Sequence, residues 1–185
     1  MKLKSCWIGM LALMAVVSCG GDSAYEEPVA PVQDAAPPTE ARVVDPAIVQ
    51  MQADCAAAAD AMQARQAESK LYDRLGGREA FLAVTTDIVR RHRVNPTIVH
   101  LMEGVDDADL IAKVTDFLSQ AAGGDVEYNG LDMVAAHAHL NLTDEHFLSA
   151  GGDVQAAMLA AGVGDDEIQE VMCMFASLYG DVVRS

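Results

Sequence analysis

The 185-residue chain carries 28 acidic side chains against 12 lysines and arginines, a formal charge of −16 at pH 7, with five histidines and four cysteines. So acidic a chain is repelled by nucleic acid and by anionic lipid headgroups. It offers no basic patch for phosphate, which excludes nucleic acid as a partner.

Residues 1–18 read as a signal peptide. Lys2 and Lys4 give a basic start, Trp7 to Val17 an apolar run too short to span a bilayer, and Val16-Val17-Ser18 a small-residue approach to Cys19. Cys19 followed by Gly20 resembles a bacterial lipobox. That implies a lipidated Cys19 and an exported lipoprotein held in the cell envelope, on the periplasmic side of a bacterial membrane. Secretion without a lipid is the alternative.

Residues 19–46 are rich in Pro, Ala, Glu and Asp and bury too little apolar surface to offset the entropy of ordering, so a flexible, lipid-anchored tether is expected. Residues 47–68 change to Ala, Gln and Met without glycine, a helix-forming composition. The small side chains from Cys55 to Ala59 suggest that this helix packs only lightly, as an extra element ahead of the domain or as part of the spacer.

The compact domain is expected over 69–185. Leu71, Tyr72 and Leu75 make a short helix that stops at Gly76-Gly77. Phe81, Val84, Ile88 and Val89 recur at helical spacing from Arg78 to Arg93, with Arg90, Arg91 and Arg93 placed where positive charge suits the helix dipole. Asn95-Pro96 signals a short helix, and Asp106, Asp107 and Asp109 mark the next N-terminus. Leu110, Val114, Phe117 and Leu118 form the apolar face of that helix, which ends at Gly123-Gly124. A histidine-bearing helix, one from Thr143 and a last one from about Asp165 complete the chain. No stretch alternates as a strand does, so the fold class is all-α. Gly151-Gly152 inside the Thr143 helix signals either a close crossing or a break.

Gly130 to Phe147 holds three of the five histidines. His137 and His139 sit two apart and cannot share one helix face, so one can look into a pocket while the other looks elsewhere. Neutral imidazole is a common iron ligand, although a satisfied core histidine has the same spacing. Cys6 leaves with the signal peptide and Cys19 with the anchor, so Cys55 and Cys173 remain. In an oxidising compartment they can join the early helix to the last one, or stay as two buried thiols.

The order LYDRLGG (Leu71–Gly77), Gly123-Gly124, Tyr128-x-Gly130, the MVAAH run (Met133–His137) and DEHF (Asp144–Phe147) resembles a group I truncated haemoglobin. The family implies a two-over-two helical globin sandwich around one haem b. Its ligand would be oxygen, nitric oxide or carbon monoxide, or the iron would pass electrons to a redox partner the sequence does not identify. The proximal iron ligand of the family maps to His137, beside Met133; His146 matches a family residue read here as packing and capping.

The distal side departs from the pattern. The family's Phe–Tyr pair falls on Ile88 and Val89, so the tyrosine that hydrogen-bonds oxygen is missing. The phenylalanines that wedge the haem fall on Leu101 and Met102. Polar distal positions fall on Leu110 and Val114, with Lys113 between them as either a sixth iron ligand or the partner of a haem propionate. An apolar pocket of Val89, Leu110 and Val114 suits carbon monoxide or nitric oxide better than oxygen and leaves nitric oxide dioxygenation or peroxidase-like chemistry without an acid–base residue. The alternative function is a haem-free globin-fold lipoprotein serving as an interaction module, which Leu101 and Met102 would suit.

Overall fold

Asp45 sets the start of the first helix. Its Oδ1 accepts from the Ala47 amide at 2.7 Å, and Pro46 takes the first turn, where a missing N–H costs nothing. The computed structural model describes residues 42–184; the signal peptide (1–18), Cys19 and most of the tether expected over 19–46 lie outside the described residues. Of that tether, the described end runs from Arg42 into the helix and belongs to the same compact unit as the helices that follow.

Every regular element among the described residues is helical: α1 (Pro46–Glu68), α2 (Leu71–Arg74), α3 (Gly77–His92), a 3-10 helix (Val99–Met102), α4 (Asp107–Ala121), α5 (Met133–His137), α6 (Asp144–Ala160), α7 (Asp165–Ser177) and α8 (Tyr179–Val182). None of them is long and apolar enough to cross a membrane. The all-α expectation is met. α3 packs along α4 and against α6, α6 packs on α7, and the two pairs enclose a core of Phe81, Ile88, Val154, Met158, Ile168 and Val171. A second, smaller cluster gathers Phe147, Tyr179, Val182 and Val183, with Phe147 and Phe175 stacked at 4.3 Å between ring centres.

The glycine pair in α6 resolves into two roles. α6 runs unbroken through it, and a Cβ on Gly151 would stand 2.9 Å from the Phe175 ring, whereas one on Gly152 would meet nothing within 4 Å. Gly151 is therefore the close α6–α7 crossing, and Gly152 is solvent-facing.

Asn95 does not start a helix where the sequence suggests. Asn95 starts a turn instead, its side chain accepting from Thr97 N at 3.1 Å and its carbonyl from Val99 N at 2.9 Å, and the regular 3-10 helix follows from Val99. The side chain also donates to Ser149 and Asp153 at 2.9 Å. The arginines that close α3 likewise do more than face its dipole. Arg90 and Arg91 pair with Asp87, and Arg93 donates to the Met102 and Val105 carbonyls at 2.6 Å, holding the entry to α4.

α1 buries only Ile48 among its 23 residues, as its small side chains suggest, yet it lies along α7 and is fastened there at several points. Cys55 and Cys173 form a disulfide with Cα atoms 5.4 Å apart. Arg65 Nε donates to Glu170 at 2.6 Å, and Arg74 of α2 reaches the same carboxylate and Glu167. Glu170 is almost wholly buried, a placement that depends on two guanidiniums to neutralise it. Its hydrogen bond is the main cause that holds the Arg65 pKa above the usual arginine value. Gln66 caps the junction, accepting from Leu71 N at 2.8 Å.

Candidate functional site

The loop before α5 is built backward onto α4. Gln120 Oε1 accepts from Tyr128 N at 2.6 Å, and the Tyr128 ring meets Phe117 edge-on at 5.4 Å. The Tyr128 hydroxyl donates to Leu131 O at 2.7 Å and crosses so close to Gly130 that a Cβ there would lie 2.2 Å from it. That close approach explains the Tyr-x-Gly spacing. Asp132 then caps α5, accepting from Ala135 N at 2.7 Å.

His137 ends this one-turn helix, half-buried, with Nδ1 2.8 Å from the Met133 carbonyl oxygen. A carbonyl can only accept, so Nδ1 carries a proton, and in the neutral ring Nε2 then holds the lone pair. That is the tautomer a histidine needs to bind a metal through Nε2, with its other nitrogen held by an outer partner. His139 is exposed. His146 completes a capping box with Thr143 at the start of α6 and lies edge-on to His100 at 5.3 Å. His92 is engaged elsewhere, its Nδ1 2.8 Å from Asp153.

Leu110 and Val114, expected on the distal side, lie on α4. Its apolar stripe of Leu110, Val114, Phe117 and Leu118 is only half-buried, while the residues it buries fully are Thr115 and Ser119. α4 packs on α3 and α5 packs on α8; among the described residues α4 and α5 are not closely packed against each other. α5 itself buries no side chain, and Met133 is half-buried. Within the stripe Phe117 packs on Tyr128 and Leu118 on the main core, while Leu110 and Val114 are half-buried apolar side chains, the kind that line a site for an apolar group. Val89 and Met102 are buried, and Leu101 is half-buried.

Lys113 is exposed on α4, donating to Asp109 at 2.6 Å. The Asp109 hydrogen bond and charge hold its pKa above the usual lysine value. In this arrangement the amine is an ammonium without a lone pair.

A sequence profile described as bacterial-like globin matches residues 70–184. The chain belongs to that family. It is 29% identical over 119 residues to the group 1 truncated hemoglobin GlbN of Mycolicibacterium paratuberculosis, covering 64% of this chain and 88% of that one. With the corresponding protein of a Synechocystis species the identity is 35% over 107 residues, 56% of this chain and 86% of the relative. Among solved structures, the Fe(III) truncated hemoglobin of Tetrahymena pyriformis superposes with a TM-score of 0.60 at 26% identity, covering 62% of this chain and 98% of that one. A 2/2 hemoglobin from a Synechococcus species, in the cyanomet state with covalently attached heme, gives 0.59 at 25% identity, covering 63% and 100%.

Sequence reasoning on this globin missed two features. The Met133 carbonyl, which sets the His137 tautomer, is backbone and carries no side-chain signal. Asp144 and Tyr179 receive the N-terminal segment; in the sequence Asp144 stands out only as part of the DEHF run, and Tyr179 carries no signal.

Proposed function

We propose that this globin binds one haem b between α4 and α5 through His137 Nε2, and that it takes oxygen, nitric oxide or carbon monoxide, or passes electrons, at the haem. The observation that carries the reading is the His137 Nδ1, 2.8 Å from the Met133 carbonyl oxygen, a hydrogen bond that in the neutral ring leaves Nε2 as the nitrogen able to ligate. Haem bound there would supply an iron that takes a gas ligand and a one-electron couple. His137 would hold the iron, and the half-buried Leu110 and Val114 would keep water from the bound ligand.

Val89, Leu110 and Val114 offer no hydrogen-bond donor on the distal side. A ligand with negative charge on its outer atom forgoes about 1 to 3 kcal/mol of stabilisation there. This globin accordingly holds carbon monoxide and nitric oxide in preference to oxygen, and no residue in a distal position serves as an acid–base catalyst. Lys113, an ammonium paired with Asp109 at the rim, is suited to a haem propionate rather than to iron.

The site of action we propose is the cell envelope, through a lipid on Cys19. The Cys55–Cys173 disulfide supports it, because such bonds persist in oxidising compartments. A Cys19→Ser chain that stays in the membrane fraction would contradict the anchor. The alternative, a haem-free interaction module, makes the half-buried α4 stripe a docking face. Mixing the full chain with haemin decides between them: a sharp Soret band that His137→Ala loses or displaces supports haem ligation. The broad spectrum of free haemin in the wild type supports the module.

A further inference from the structure

α5 is five residues long and buries none of them. A single turn does not hold itself in water, so the direction in which His137 points is set by its neighbours. Those neighbours are α8, which packs on α5, and the start of α6, which the chain reaches a few residues after His137. Both are gripped by a segment that precedes the family match at residue 70.

Ile48 of α1 is completely buried in the cluster of Phe147, Tyr179, Val182 and Val183, with Met133 of α5 packed against the same cluster. The Asp45 amide donates to Asp144 Oδ2 at 2.7 Å, and the Tyr179 hydroxyl donates to Asp144 Oδ1 at 2.6 Å. The Arg42 guanidinium lies 3.1 Å from that carboxylate and also donates to the Tyr179 hydroxyl. Asp144 is the first residue of α6 and Tyr179 the first of α8. About two turns beyond Ile48, on the same side of α1, the disulfide to Cys173 keeps the helix down on α7.

We infer that Arg42–Ile48 is a positioning segment for the proximal histidine, clamped by the Cys55–Cys173 bond, and that it sets how tightly this globin retains haem. The inference rests on haem ligation by His137 and goes beyond it in placing part of the proximal machinery outside the globin match. Ile48 touches no haem; it acts through α8 and Met133 on the orientation of His137.

The test uses the full chain loaded with haem, in the wild type, Ile48→Ala, Ile48→Val, and a Cys55→Ser/Cys173→Ser double variant. Two quantities are read: the rate of haem loss to an excess of a haem-scavenging apoprotein, and the iron–histidine stretching band of the reduced form by resonance Raman. Ile48→Ala and the double variant should lose haem at least about ten-fold faster, the scale seen when an outer partner of a metal ligand is removed. Their stretching band should shift or broaden, and Ile48→Val should restore both. A lowered melting temperature with a wild-type rate and band, in either Ile48→Ala or the double variant, overturns the inference while leaving haem binding intact. If Ile48→Ala does not fold, the double variant carries the same readouts. A wild type that takes up no haem overturns the inference together with the reading beneath it.

Discussion

The two walls of the candidate site are built in opposite ways. α4 is 15 residues long, capped by Asp106, and packed along α3, so it stands as a helix whether or not anything occupies the space beside it. α5 has one turn, a cap from Asp132 and no buried side chain, so it takes its orientation from α8, α6 and the segment ahead of the globin match. The helix that would decide which ligand is favoured is self-supporting; the helix that would hold the iron is not. Distal chemistry should therefore respond to single side chains, and proximal geometry to contacts far from His137.

The largest effect expected from breaking this arrangement is on stability. Cys55–Cys173 closes a loop of 118 residues, for which chain entropy gives up to about 4 to 5 kcal/mol. Denaturant unfolding of the Cys55→Ser/Cys173→Ser variant should show a loss of that order. A loss below about 1 kcal/mol would mean that α1 stays in place through its ion pairs alone.

On the distal side, Val89→Tyr should restore a donor facing the gas. Oxygen dissociation, followed by stopped flow, should slow by about ten- to a hundred-fold, the equivalent of roughly 1 to 3 kcal/mol. The change should leave haem loss unaltered. An unchanged dissociation rate would show that residue 89 does not face the ligand.

The sharpest contrast comes from removing equivalent caps. Asp106→Ala and Asp132→Ala each delete a side chain that accepts a helix N–H, at 2.9 Å and 2.7 Å, and each should cost about 1 kcal/mol of helix stability. Asp106→Ala should lower the melting temperature and leave haem retention as it was. Asp132→Ala should accelerate haem loss with little change in melting. Equal effects on both readouts would erase the distinction between the walls.

The smallest effect concerns pH. Hydrogen bonds from Arg91 and then Arg90 hold the Asp87 carboxyl below its usual pKa. A depressed carboxylate contributes stability above its unfolded pKa and loses that contribution as pH falls through the folded value. Asp87→Asn should therefore be slightly less stable than the wild type near neutrality, and the gap should close in acid. A gap that persists at low pH would point to packing instead.

Much of this architecture is legible in the chain. Helical spacing marks α3, α4 and α7, Asp106 and Thr143 start α4 and α6 as their positions suggest, and the paired glycines end α2 and α4 as expected. The half-buried stripe of α4 is legible only in part. The sequence shows that Leu110, Val114, Phe117 and Leu118 share a face, but only the packing shows that Thr115 and Ser119 are buried in their stead. The role of α1 was not legible, because Ala-rich periodicity carries no core signal and a lone Ile48 looks like any other residue of a spacer. Cys55 and Cys173 left a disulfide and two thiols equally open, since pairing depends on the approach of two helices 118 residues apart. The tautomer of His137 depends on a backbone oxygen one turn earlier, which no residue type announces.

The measurement closest to the central claim is the absorption spectrum of the full chain mixed with haemin, beside His137→Ala. A sharp Soret band is expected in the wild type, and the variant should lose or displace it. An identical sharp band in both would contradict ligation by His137, and a broad free-haemin spectrum in the wild type would contradict haem binding itself.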